Sequence, residues 1–389
     1  MTWTQTTLSA VSDIQTGPFG SQLHAADYVV SGTPAIMPQN IVNGRISTNG
    51  IARVSNKDIK RLVKYCVQPG DIVFSRRGDV ERHALITANE STWLCGTGCL
   101  RVRPNSSLIK PEYLHYYLST PASCAWISGH AHGSTMPNLN TTILGETPIK
   151  FPNRDMQIHI CGILTALDAK IDCNSRINDN LHQQAQALFS HFYERATNCI
   201  TFTSIIQVLG GGTPKTSEPT YWNGRIPFFT PKDVGCPYTL MTEKTITEDG
   251  LNHCNSRLYP VNTVFVTARG TVGKVGLSGY PMAMNQSCYA LVGNGIDQLL
   301  VYFYTLETVN ALKHKASGAV FDAITTKDFS SENVMQLSES DACIFLSIAS
   351  PLFATILSNC LENQRLVSLR DTLLPKLMSG EIDVSNIQL

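Results

Sequence analysis

LDAKIDCNSRINDNLHQQAQALFSHF, residues 167–192, lies over LFATILSNCLENQRLVSLRDTLLPKL, residues 352–377, without a gap, at an offset of 185. The seam pairs are Leu167/Leu352, Ile171/Ile356, Asn174/Asn359, Asn178/Asn363, Leu181/Leu366, Leu188/Leu373 and Phe192/Leu377. Their spacing alternates between four and three, the rhythm of helices packed along a narrow stripe. No glycine interrupts either stretch. Two long helices of similar design are therefore predicted, one in the middle of the chain and one near its end.

The repeat extends outward from the helices. Upstream, Gly133-Ser-Thr-Met-Pro-Asn-Leu-Asn-Thr matches Gly318-Ala-Val-Phe-Asp-Ala-Ile-Thr-Thr at the same offset. Further back, Pro34-Ala-Ile-Met-Pro-Gln-Asn-Ile matches Pro227-Phe-Phe-Thr-Pro-Lys-Asp-Val, and Arg77-Gly-Asp-Val matches Arg269-Gly-Thr-Val. Two copies of one unit, a globule and then a helix, fill nearly the whole chain. The globules read as mixed and strand-rich. Runs such as Asp71-Ile-Val-Phe-Ser and Thr263-Val-Phe-Val-Thr are bounded by Gly, Pro and Asn. Short helices are expected near 111–119 and 297–312.

The expected fold is α+β: two mixed α/β recognition domains, 1–152 and 197–338, and two long helices, 153–196 and 339–380, packed as an antiparallel coiled coil. A tail follows at 381–389. The start of the second helix is open, because Ser350-Pro351 fits either an N-cap with a first-turn proline or a kink inside a longer helix. Pro375 is expected to kink or end the last turn. At ~1.5 Å per residue, about 40 residues make a rod of ~60 Å. In an antiparallel pair Asn174, Asn178, Asn359 and Asn363 would meet in one polar layer, which costs stability but fixes register.

Composition narrows the function classes. The 389 residues carry 30 basic and 30 acidic side chains, and 43% are hydrophobic. By segment, residues 1–150 hold 13 Lys/Arg against 9 Asp/Glu, 197–338 hold 10 against 10, and the rest hold 7 against 11. A chain so balanced cannot hold nucleic acid tightly by phosphate attraction alone, so basic partners are expected to supply much of the grip. No uninterrupted apolar run reaches the roughly 18 residues of a membrane span. Met1-Thr-Trp-Thr-Gln lacks the basic flank and apolar core of a signal peptide, and a cytoplasmic location is expected. The 12 cysteines are scattered without a CxxC pair and read as free thiols.

Several longer stretches carry a resemblance. They are Gly210-Gly-Gly-Thr-Pro-Lys-Thr, Tyr221-Trp-Asn-Gly-Arg-Ile-Pro-Phe-Phe-Thr-Pro-Lys-Asp and Leu373-Leu-Pro-Lys-Leu-Met-Ser-Gly-Glu-Ile, with Gly17-Pro-Phe-Gly-Ser-Gln-Leu and Pro69-Gly-Asp-Ile-Val-Phe-Ser-Arg-Arg-Gly in the first copy. Together they resemble the specificity (S) subunit of type I restriction–modification systems over almost the full chain. The resemblance implies two target recognition domains that read the two halves of an interrupted double-stranded DNA site. It also implies partners: modification (methyltransferase) subunits, two of them, on the helices, and restriction (motor-nuclease) subunits that can join. A pseudo-two-fold reader suits the local two-fold symmetry of DNA, and unlike globules imply unlike half-sites.

Candidate DNA contacts follow from side-chain chemistry. Arg76 and Arg77, and Arg269 and Lys274, flank glycine turns that present a cation to a guanine edge or a phosphate; a surface ion pair is the plain alternative. Thr213 and Lys215 sit in a glycine turn suited to the DNA backbone. That turn lacks the GK[ST] ending of a nucleotide loop. Tyr221 and Trp222 either stack on DNA or anchor their own core. Gln39-Asn40 and Asn285-Gln286 carry amides able to pair with adenine, though such residues also make turns. Ser21, Lys232, Ser134 and Ser317 complete the set.

Cys95-Gly-Thr-Gly-Cys99 and His130-Ala-His132 have no second ligand pair, so no metal site and no cofactor are expected. The methyl-transfer motifs NPP[FY] and DPP[FY], the FxGxG loop, Walker A, HExxH and GxSxG are absent. A non-catalytic reader is the expectation. Its rivals are a stand-alone DNA-binding regulator and an enzyme of another kind, such as a thiol hydrolase using Cys99 or Cys288.

Overall fold

The computed structural model describes residues 3–133, 135–235, 237–315 and 323–385. Both repeated stripes fold as single helices, Arg154–Arg195 (42 residues) and Glu339–Ser379 (41 residues). Each starts at the same place in the repeat. The Asn153 side chain accepts from the Met156 backbone N–H at 3.1 Å, and Ser338, 185 positions later, accepts from that of Asp341 at 3.1 Å. Pro351 lies inside the second helix, so Ser350 is not its N-cap. Pro375 does not end it either. The last turn continues to Ser379 because Leu374, Leu377 and Met378 are buried in a core. Gly380, at φ +82°, closes the helix.

The second helix also contains an 18-residue window of mean hydropathy 1.8, long and apolar enough for a membrane span by composition alone. Serines and Pro351 break the run at the level of single residues, which is why the sequence reading passed over it. Here Phe345, Ala349, Phe353 and Ile356 face a core while Ile344 and Ile348 are exposed.

The chain forms two compact units, Met1–Ala169 with Leu366–Leu389, and Lys170–Arg365. Each unit therefore holds one globule, part of one helix and the complementary part of the other. In the first unit, Ile160 and Leu164 from one helix share a core with Leu374, Leu377 and Met378 from the other. Val384, in the segment expected to be a tail, is buried in the same core. Arg370 bonds Asp168 at 2.8 Å, and Asp168 accepts from the Tyr116 hydroxyl at 2.5 Å.

Sheet topology repeats between the units. In the first, Ser12–Thr16, Cys99–Pro104, Ile72–Ser75 and His83–Leu85 form an antiparallel sheet in that order. In the second, Ile206–Gly210, Cys288–Gly293, Val264–Thr267 and Val275–Ser278 do the same, and Tyr238–Thr239 adds a fifth, parallel strand. Even the register is kept: Phe74 faces His83 where Val266 faces Val275. A second sheet of three strands packs beside each, built on Tyr28–Ile36 and on Trp222–Phe229. Two-stranded ribbons, Thr4–Thr7 with Pro148–Phe151 and Asn198–Thr201 with Asn333–Gln336, lead into the two long helices.

Candidate nucleic-acid interface

In the second unit three neighbouring strands end together. Gly210 pairs with Tyr289, and Thr267 pairs with Cys288. The loops beyond them, 211–215, 268–274 and 285–287, are thereby gathered, and 230–234 joins them. Gly212 N–H donates to Met284 O at 3.1 Å, Ala268 N–H to Ser287 O at 2.8 Å, Asn285 N–H to Phe229 O at 3.0 Å, and the Thr271 hydroxyl to Pro231 O at 3.2 Å. The approach is too close for a side chain. A Cβ on Gly211 would lie 2.3 Å from Asn285 O.

The first unit makes the same cluster from 17–23, 37–40, 76–82 and 96–98. Gly17 N–H donates to Cys99 O at 2.9 Å, Gly96 N–H to Ile36 O at 2.9 Å, and Arg76 N–H to Gly98 O at 2.8 Å. A Cβ on Gly17 would lie 2.1 Å from Gly96 O. Gly78 and Gly270 both take positive φ, +74° and +80°, turning the chain just after Arg77 and Arg269.

Most sequence candidates fall in these clusters. Arg77, Thr213, Lys215, Arg269, Lys274, Gln286, Gln39, Ser21 and Lys232 are exposed. Arg77 and Arg269 bridge to Asn138 and Ala323 through their backbones. Among the described residues neither guanidinium has an acidic partner. Lys232 does have one, Glu243 at 3.5 Å. Arg76 is half-buried, its Nε donating to Leu139 O at 3.3 Å. The Thr213 hydroxyl donates to the Gln286 carboxamide oxygen. Ser134 and Ser317 lie outside the described residues.

Four candidates are engaged within the fold. Asn40 is 1% exposed, accepts from Met37 N–H at 3.0 Å and donates to Ser47 O at 3.2 Å. With both ends of its amide engaged inside the globule, it cannot reach a base edge. Asn285 is half-buried and accepts from Ser287 N–H at 3.0 Å, which fixes its own turn. Trp222 packs edge-on against Phe228 and donates to Lys215 O at 3.2 Å. Tyr221 stacks on His253, ring centres 5.0 Å apart. Trp222 thus borders the small core of Phe228 and Ile246, whereas Tyr221 keeps a half-buried ring against the exposed His253.

Cys95 and Cys99 are the walls of the first cluster. Both are buried, and the Cys99 thiol donates to Ile36 O at 3.3 Å. Burial pushes the thiols of Cys95 and Cys288 up to about 12, and that of Cys99 well above its ordinary value. Such thiols stay protonated at neutral pH, contrary to what a thiol hydrolase needs of Cys99 or Cys288. Phe19 and Thr97, not singled out in the sequence, also lie in the first cluster, the Thr97 hydroxyl donating to Pro18 O at 3.0 Å. Gly96-Thr-Gly98 is the first-copy counterpart of Asn285-Gln-Ser287, a relation visible only once Cys99 and Cys288 are seen at equivalent strand starts.

The four seam asparagines come together within the second unit. Asn174 Nδ2 donates to Asn363 Oδ1 at 2.9 Å, and Asn359 Nδ2 donates to Asn178 Oδ1 at 2.8 Å. These bonds exchange under the 185-residue repeat. So do their companions, Asn363 Nδ2 to Ile171 O at 3.2 Å and Asn178 Nδ2 to Ile356 O at 3.5 Å. Glu362 breaks the symmetry: it accepts from Asn174 at 2.7 Å and pairs with Lys170 at 3.2 Å. The Asn174 hydrogen bond, with help from Lys170, holds its carboxyl below the usual range.

Comparison with known proteins agrees with the duplicated frame. A family model described as the type I restriction modification DNA specificity domain matches residues 2–183 and 199–336. The type I restriction enzyme HindI specificity subunit of Haemophilus influenzae is 22% identical over 414 residues, 85% of this chain and 90% of that one. The EcoR124I/EcoR124II specificity subunit of Escherichia coli is 27% identical over 254 residues, 58% of this chain and 59% of the other. The crystal structure of a type I restriction–modification S subunit from M. genitalium shares the fold, with TM-score 0.57, 18% identity and coverage of 97% and 96%.

Proposed function

The chain belongs to the type I restriction–modification DNA specificity family and has the role of a specificity subunit in such a complex; from that premise we propose that its two strand-end clusters each read one half of an interrupted, asymmetric DNA site. The observation that carries this reading is the recurrence of one loop cluster at equivalent strand ends, each with an exposed arginine just before a positive-φ glycine. Arginine in that setting can fork onto guanine or hold a phosphate. Because the remaining exposed groups differ between clusters, the half-sites differ in sequence.

The same reading assigns the long helices to two modification subunits, with restriction subunits joining that assembly. Exposed Ile158, Ile177, Ile344, Ile348 and Leu369 on the two helices supply apolar surface for such docking. Catalysis then belongs to those partners, and the chain itself contributes position. Cytoplasmic placement follows from its DNA substrate.

The test is co-expression with the neighbouring modification subunit and sequencing of methylated adenines. The expected product is a two-part, asymmetric motif, absent when either subunit is omitted. Arg77→Ala should weaken binding through one half only and Arg269→Ala through the other, each by about tenfold. A continuous palindrome, or methylation by this chain alone, would overturn the proposal.

A further inference from the structure

Phe19 is 50% exposed at the tip of the first cluster, yet its backbone is held on all sides. Its carbonyl accepts from Gln22 N–H at 2.8 Å and Leu23 N–H at 3.1 Å, and its N–H donates to Gln22 Oε1 at 3.3 Å. Gln22 Oε1 is fixed in turn by the Tyr65 hydroxyl at 2.7 Å. Two residues earlier, Gly17 is pressed against Gly96. The ring cannot retreat into the core, and on one side it meets the Arg76 guanidinium, 5.6 Å from its centre. An isolated surface aromatic needs no explanation; one clamped beside a cation, in a cluster of DNA-facing loops, is built for contact.

Counting from the paired glycines Gly17 and Gly211, the second copy has Thr213 where the first has Phe19. Thr213 turns its hydroxyl to Gln286. The two clusters thus differ at this position, one presenting an apolar ring and the other a polar pair. An apolar face at a base edge has one complement that pairing chemistry does not supply, the C5 methyl of thymine.

Resting on the reading of the two clusters as half-site readers, we propose that Phe19 is a specificity-determining residue of the first copy, its ring packing on the methyl group of a thymine. Uracil lacks only that methyl, so the experiment is thymine-to-uracil replacement, one position at a time, across both halves of the recognised duplex. Binding is measured for the complex reconstituted with modification subunits. One replacement, in one half only, should weaken binding by about tenfold. Phe19→Ala should bind the thymine duplex about as weakly as the unaltered complex binds the uracil one, and should not distinguish them. Phe19→Leu keeps an apolar contact and should retain part of the discrimination, while unchanged affinity through the other half reports intact folding. The proposal is overturned if no half-site contains thymine, if no uracil replacement matters, or if Phe19→Ala keeps the full penalty. Absence of any sequence-specific site would instead defeat the half-site reading beneath it.

Discussion

The first globule packs two histidines where the second packs two valines. His83 stacks on Phe74 at 4.6 Å and lies 5.0 Å from His115; the equivalent positions in strand and helix are Val275 and Val301. Nearby, Gln157 is 1% exposed and spans three elements, accepting from Lys110 N–H at 2.8 Å and donating to Pro152 O at 3.0 Å. Its counterpart Ala342 spans nothing and lines an open groove with Leu300, Tyr304 and Leu346. A third difference is a compensated pair. Leu337 N–H donates to the Tyr304 hydroxyl at 2.8 Å, whereas the first copy has Pro152 and Leu118 there, so neither donor nor acceptor exists. The backbone frame tolerates exchange of polar and apolar fillings provided that each buried donor keeps a partner. The same freedom at the loop tips is what the proposed reading of unlike half-sites by one frame requires.

Substitutions can break this correspondence or sharpen it. Gly17→Ala and Gly211→Ala attack what the copies share, because either Cβ would fall within 2.5 Å of a backbone oxygen. Each should cost about 3 kcal/mol in its own unit, measured by chemical unfolding, and disable that half-site. A mild effect at one glycine alone would show that the clusters are less alike than their hydrogen bonds imply. Asn178→Leu strands the amide of Asn359 and should cost about 2 kcal/mol. Replacing all four seam asparagines by leucine should raise stability while loosening register, read as a blurred spacing between methylated half-sites. A quadruple variant with an unaltered spacing would remove the register role.

Tyr304→Phe deletes an acceptor that only the second copy needs and should destabilise it by about 1 kcal/mol. The smallest effect at neutral pH concerns the histidines. Burial lowers the pKa of both His83 and His115, and for His115 the charges of His83, Arg370 and Arg45 add to it. The unfolded chain takes up protons near the ordinary value of 6.5, which the folded globule refuses. Stability is therefore full above that pH and falls as pH drops below it. Hydrogen exchange at pH 7.5 and 5.5 should show the first globule losing protection before the second. Giving it the valines of the other copy, His83→Val with His115→Val, should flatten that dependence. An equal acid response in both globules would point to His182, which burial also shifts downward.

Much of the fold is written in periodicity. The seam of leucines and asparagines announces both helices, because a heptad stripe can be buried in few ways, and the short connections to the globules favour the antiparallel pairing. The Arg-Gly turns are legible too, since glycine at positive φ leaves a local signature. Asn40 and Asn285 were not separable from Gln39 and Gln286 in sequence: each pair is adjacent, and only burial tells the turn-maker from the exposed amide. That the helix runs on past Pro375 was hidden for a similar reason. A proline's local cost is readable, but the core that outweighs it is assembled from residues more than 200 positions away.

By itself the sequence determined the duplication, the two rods and their polar layer, and the absence of familiar catalytic motifs, since all of these depend on residue type and spacing along the chain. Tertiary structure alone decided that the last helical turn belongs to the first globule, that Gly96–Gly98 and Asn285–Ser287 are one loop twice, and that Phe19 stands clamped beside Arg76. Each of those depends on which distant strands end side by side, and such proximity leaves no mark on local pattern.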